Sequence, residues 1–187
     1  MFIQTEATPN PQVLKFLPGR QLLPGGSREF TDAAEAAASP LAAALFALDG
    51  VTRVYFGDDF LTVSKDRDTD WPLLKAPILA EIMDHFTSGA ALIEGAEAVA
   101  DEEVYEGETA QVVAEIKDLI DTRIRPAVAQ DGGDIMFSRF EPATGVVWLN
   151  MRGACSSCPS SAATLKSGVE NLLRHYVPEV TRVEQTL

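Results

Sequence analysis

Residues 94–108 read EGAEAVADEEVYEGE, a stretch of acids and small residues with no Lys or Arg. Such a segment has too little apolar periodicity to pack and repels itself, so it reads as an extended linker. Cutting the 187-residue chain there leaves 1–93 and 109–187, each long enough to bury only a modest core. The expectation is two small domains, and the pattern inside each makes both of them α+β.

In 1–93, Phe2–Thr5 and Val13–Leu17 read as strands on either side of Thr8-Pro9-Asn10-Pro11, where two prolines fix the backbone and withhold donors. After Gly25-Gly26 comes an Ala-rich run, Asp32–Ala38, and then Ser39-Pro40, an N-cap followed by a first-turn proline. The helix opened there carries Leu41, Leu45 and Leu48 on one face and stops at Asp49-Gly50. Val51–Phe56 and Phe60–Ser64 flank Gly57-Asp58-Asp59 as a hairpin, and a second helix from Trp71 to about Ser88 buries Leu74, Ile78, Ile82 and Phe86. His85 reads as a packing residue beside Phe86. Asp66, Asp68 and Asp70 lack the Gly and bidentate Glu of a calcium loop and read as a solvated turn. No catalytic constellation emerges, and the chain reads as a protein that is not an enzyme.

In 109–187 the periodicity places a helix with Val112, Ile116, Leu119, Ile120 and Ile124 on one stripe, Thr109 as its cap and Pro126 at its end. Asp131-Gly132-Gly133-Asp134 is a turn, and Ile135–Phe140 and Val146–Met151 are strands of a hairpin. A helix beginning at Pro159 carries Ala162, Leu165, Val169, Leu172 and Leu173 and runs until Pro178, and Thr181–Gln185 is a last short strand. The order is helix, hairpin, cysteine loop, helix, strand.

Charge narrows the function classes. A formal net charge of −13 argues against a polyanionic partner, since phosphate backbones are bound by clustered Lys and Arg. No apolar run approaches the roughly 18 residues that span a bilayer. The opening residues MFIQTEATPNP have neither a basic start nor an apolar core, so no signal peptide is expected. Nucleic acid and membrane are therefore not expected partners. With only two cysteines the chain is no disulfide scaffold, and metal or redox chemistry comes first.

Both cysteines, Cys155 and Cys158, lie in MRGACSSCPS at a strand-to-helix transition. Gly153 gives backbone freedom before them and Pro159 fixes the helical turn after them. Thiols at a helix N-terminus are expected to have a lowered pKa and to suit metal clusters of net negative charge. Two intervening residues let both sulfurs face one metal centre. Structural zinc and iron-sulfur clusters ordinarily take four protein ligands, however, and soft thiolates are the matched donors. The other candidates are His85, across the linker, and His175, about 25 Å along the helix at 1.5 Å per residue. Neither convinces as a third ligand. A symmetric homodimer bringing two Cys155/Cys158 pairs around one shared, labile centre is the economical solution. By the residues alone, a thiol-disulfide oxidoreductase, a zinc-bridged interaction module and a C-x-x-C without function stay open beside cluster binding.

Two further motifs point in one direction. PAVAQDGGDI followed by MRGACSSCPSS, within about Gln111–Val183, closely resembles the NifU-like C-terminal domain of the Nfu family, and FIQTEATPNPQVLKFLPG resembles the Nfu N-terminal domain. The resemblance implies an iron-sulfur cluster scaffold or carrier that binds a [4Fe-4S] cluster, with [2Fe-2S] as the variant, between two subunits and passes it to apo-proteins. The family's ligands map onto Cys155 and Cys158, and its D-G-G motif onto Asp131, Gly132 and Gly133, read as structural. Implied partners are a second copy of the chain, apo client proteins and upstream cluster-assembly proteins, and the N-terminal domain is expected to recognise client or donor proteins. Without a presequence the expected compartment is a bacterial cytoplasm, or the mitochondrial matrix for a processed eukaryotic form.

Overall fold

The computed structural model describes residues 2–24, 26–93, 105–157 and 159–186. The chain divides into two compact units, Met1–Glu97 and Ala98–Leu187. Both are α+β.

In the first unit, strands β1 (Gln4–Ala7), β2 (Val13–Leu17), β3 (Arg28–Phe30), β4 (Val51–Phe56) and β5 (Leu61–Lys65) form an antiparallel sheet in the order β1-β2-β5-β4-β3. Paired residues share a face, so Phe16 beside Leu61, Leu61 beside Phe56 and Phe30 beside Val54 present one apolar surface. Helices α1 (Ala33–Ala36), α2 (Pro40–Phe46) and α3 (Trp71–Ser88) supply Ala36, Leu41, Leu45, Leu74, Ile78 and Ile82 to the same core. Ser39 caps α2 as expected, its hydroxyl accepting from the Ala42 amide at 3.2 Å. The helix ends at Phe46, before Asp49-Gly50, and Leu48 packs from beyond it. The first strand begins two residues later than its sequence signal, leaving Phe2 81% exposed. The three-residue β3 was too short to show any alternation.

The second unit opens with α4 (Gly107–Leu119), with Glu106 at the N-cap position but making no side-chain capping bond, so Gly107 and Glu108 at the end of the expected linker are helical and Thr109 is an internal residue, not the cap. Residues 94–104 of that stretch lie outside the described residues. Pro126 does not end the helical run. A π-helical turn, Ile120–Ile124, intervenes, in which the Arg125 amide donates to the Ile120 carbonyl, and α5 (Arg125–Gln130) starts anew with Pro126 in its first turn. A proline ring clashes with the carbonyl four residues back and lacks an N–H, so it is tolerated where a helix restarts and not inside one. Strand β6 (Gly133–Glu141) pairs antiparallel with β7 (Val146–Gly153), and β8 (Arg182–Gln185) lies parallel to β7 on its other side. Between β7 and β8 run α6 (Ala154–Ser157) and α7 (Pro159–Tyr176), giving the expected element order. Ile135, Val147, Leu149, Met151 and Val183 of the sheet meet Ile116, Ile120, Val169 and Leu173 of the helices in one core.

Candidate functional site

The site is built where β7 ends. Gly153 adopts a left-handed backbone, φ 67°, that turns the chain out of the strand into α6, and this single helical turn carries Cys155. The turn is tied to the loop before β6, because the Ala154 amide donates to the Gly132 carbonyl at 3.1 Å. Across the ladder Gly133 pairs with Gly153. A Cβ on Gly133 would run into the Sγ of Cys155 and come within 3.1 Å of the Arg152 carbonyl. The second glycine of D-G-G is thus required for close approach to the cysteine, while the first, Gly132 with φ 77°, makes the turn.

Cys155 is a free thiol, only 7% exposed, in contact with the core of the unit. Burial first, then the carboxylates of Asp131 and Asp134, push its pKa up to about 12. This reverses the lowering expected from a helix N-terminus. One turn of helix offers little dipole, and desolvation disfavours the thiolate more than that dipole favours it. A buried, protonated thiol is a poor attacking group in the apo chain. As a soft donor it remains suited to a metal that displaces its proton on binding. Cys158 lies outside the described residues. His175 sits in the last turn of α7, edge-on to Tyr176 at 4.9 Å, and His85 is in the first unit. Among the described residues no three His, Cys, Asp or Glu side chains come together as a metal site.

Two residues that the sequence reading passed over hold the loop in place. Asp134, 4% exposed, takes a two-pronged ion pair from Arg125, with Nε to Oδ1 at 2.8 Å and Nη2 to Oδ2 at 3.1 Å. The Ile135 amide also donates to Asp134 Oδ1 at 2.8 Å, and Asp121 accepts from Arg125 Nη1 at 3.1 Å. Asp134 first and then Asp121 raise the pKa of Arg125 further, so its guanidinium stays charged. The available signal was an acid placed between Gly133 and Ile135 at the start of a strand, with an arginine nine residues upstream on a helix.

Two family models match this chain, "Scaffold protein Nfu/NifU N terminal" over residues 3–89 and "NifU-like domain" over residues 116–184. It is 51% identical to NifU-like protein 5, mitochondrial, of Arabidopsis thaliana, over 99% of this chain and 68% of that protein. The chain belongs to the Nfu/NifU family. Other family relatives are NifU-like protein 4, mitochondrial, of the same plant, 50% identical over 99% of this chain and 66% of that protein, and the NFU1 iron-sulfur cluster scaffold homolog, mitochondrial, of Drosophila willistoni, 51% identical over 99% and 63%. This Nfu/NifU chain therefore spans about two thirds of the length of these relatives. A solution structure of a NifU-like protein from Saccharomyces cerevisiae aligns with 51% of this chain and 87% of its own, at 32% identity and a TM-score of 0.47. The N-terminal model covers most of the first unit of this family member, and the NifU-like model covers both Arg125 and the D-G-G and cysteine loops of the second.

Proposed function

We propose that this chain is an iron-sulfur cluster scaffold and carrier whose C-terminal unit takes up a [4Fe-4S] cluster between two copies and passes it to apo-proteins. Each copy contributes Cys155 and Cys158. The observation that carries the reading is the seat of Cys155: a soft donor held against a glycine in the unit that matches the NifU-like model, beside a loop fixed by the Arg125–Asp134 pair. Two thiols per chain fall short of the four ligands a cluster takes, which supports a second copy supplying the rest. A centre assembled from two surfaces is released more easily than one enclosed by a single chain, which suits transfer over retention. The first unit, linked by the acidic stretch, serves recognition of client and donor proteins.

A dithiol oxidoreductase needs an accessible, low-pKa attacking thiol, and the burial of Cys155 argues against it. The relatives are named as mitochondrial proteins, which favours the mitochondrial compartment over a bacterial cytoplasm. The test is transfer: anaerobically loaded protein is mixed with an apo-enzyme whose activity requires a [4Fe-4S] cluster. Activity should return with loaded protein and stay absent with Cys155→Ala or Cys158→Ala. Loaded protein that keeps its iron while the enzyme stays inactive would sink the carrier role. Zinc in place of iron after expression in iron-replete anaerobic cells would sink the cluster itself.

A further inference from the structure

In the first unit, the loop after β2 and the end of α3 line a half-open cavity of about 240 Å³, with Arg20, Gln21, Leu22, His85, Phe86 and Leu92 among its walls. Two of its lining residues carry polar groups without a partner among the described residues. His85 is 8% exposed, and its Nε2 is buried without a hydrogen-bond partner, alone in this among the side-chain atoms of the described residues. An unsatisfied buried polar atom is costly, and native proteins rarely keep one without a use for it. The second unfinished group is Arg20. Its guanidinium lies 4.8 Å over the ring of Phe86, and among the described residues no carboxylate pairs with it, although the chain carries a net charge of −13. A guanidinium stacked on an aromatic face keeps its N–H edge free for a two-pronged bond to a carboxylate.

Desolvation, and after it the charge of Arg20, lower the pKa of His85, so the imidazole is neutral at neutral pH and one of its nitrogens carries a proton to donate. The accessible wall is mostly polar, and Leu22, Phe86 and Leu92 line its smaller apolar part, enough for a short aliphatic stem. The volume is below the roughly 300–1,000 Å³ of sites for drug-sized ligands, which restricts the occupant to a single side chain or a small acid. The carbonyl end of α3 also faces this region and disfavours anions by a fraction of a charge. That effect is reduced where the Ser88 hydroxyl donates to the His85 carbonyl at 2.7 Å, and the full charge of Arg20 exceeds it. Nε2 itself has no exposed surface, so a ligand in the cavity reaches it only when a neighbouring side chain shifts. Arg20 and Gln21 are exposed long side chains, which change rotamer in nanoseconds or less.

We propose that this cavity binds a carboxylate on a short aliphatic stem, with Arg20 as its ion-pair partner and His85 Nε2 as its buried hydrogen-bond partner. The carboxylate can be that of a glutamate side chain on a protein or of a free small acid, and the two are separated by experiment. Metal-free, full-length ¹⁵N-labelled protein is titrated with glutarate in one arm and with the capped peptide acetyl-Ala-Glu-Ala-amide in the other. Saturable shifts are expected at the amides of Arg20, Gln21, His85 and Phe86 in at least one arm, weakening as salt is added. Arg20→Gln should weaken that binding at least about tenfold, as loss of a charge-assisted pair does. His85→Phe should weaken it while leaving the melting temperature equal or higher, because replacing an orphaned polar atom by an apolar one relieves its cost. Shifts with glutarate alone assign a metabolite site, and shifts with the peptide assign a docking anchor. No saturable shift in either arm, or affinity unchanged in both variants, overturns the proposal. No metal is involved, so failure here leaves the cluster reading standing, and failure of the cluster reading leaves this one standing.

Discussion

At Gly133 an added methyl group has nowhere to go, since it would overlap the sulfur of Cys155 and crowd the Arg152 carbonyl at 3.1 Å. Gly133→Ala is therefore expected to cost on the order of 1–3 kcal/mol in urea unfolding, the range for overpacking, and to displace the thiol. Cys155 itself makes the apo fold sensitive to alkali. Its pKa is raised from an ordinary 9.0 to about 12, so the folded state holds the proton more tightly than the unfolded state. The resulting stability is fully present below about pH 9 and is lost as pH climbs toward about 12. Stability curves of the wild type and Cys155→Ala should converge over that window, and parallel curves would count against the burial described here. The identity of the cysteines, the two glycines and the turn around them was legible in the sequence as a motif. What was hidden was which atom each glycine makes room for. A backbone-freedom argument treats Gly132 and Gly133 alike, whereas of the two only Gly132 has a left-handed φ, and Gly133 instead abuts the thiol.

Among the elements, α5 and β6 are joined by one ion pair, and Arg125→Gln tests how much of the loop depends on it. Removing the guanidinium leaves the Asp134 carboxylate, 4% exposed, without its countercharge. A loss of about 2–3 kcal/mol in chemical denaturation is expected, toward the low end for a buried pair because the Arg125 side chain keeps 28% of its surface in water. Arg125→Lys should recover only part of it, an ammonium being unable to make both bonds. Full recovery by Lys would mean that charge alone matters and the paired geometry does not. Most elements were readable from periodicity and caps, as Ser39-Pro40 opening α2 and Trp71–Ser88 forming α3 illustrate. Pro126 misled because local rules end a helix before proline, while here a π-helical turn shifts the hydrogen-bond register one residue ahead of it. Arg125, the first residue after that turn, makes the pair with Asp134, a contact that no local propensity encodes.

For the whole molecule, the two units have separate cores, one around Phe16, Leu45 and Ile78 and the other around Ile116, Leu149 and Leu173. Leu45→Ala should lower the stability of the first unit by roughly 2–5 kcal/mol. Iron uptake by the second should be unchanged, and a parallel loss of iron would show that the site needs both. The sequence composition marked the acidic stretch and the two-part organisation, and it counted the thiols, which is why the ligand shortfall was visible from the start. It carried no information on the orphaned His85 nitrogen, which exists only once α3 and the loop after β2 are folded together. Native mass measurement of anaerobically reconstituted protein, together with iron and sulfide analysis, decides whether a cluster is shared between two copies. The expected result is a dimer carrying about four iron and four sulfide ions, reverting to metal-free chains in Cys155→Ala and in Cys158→Ala. A monomer with a complete cluster, or a variant that keeps its iron, would contradict it.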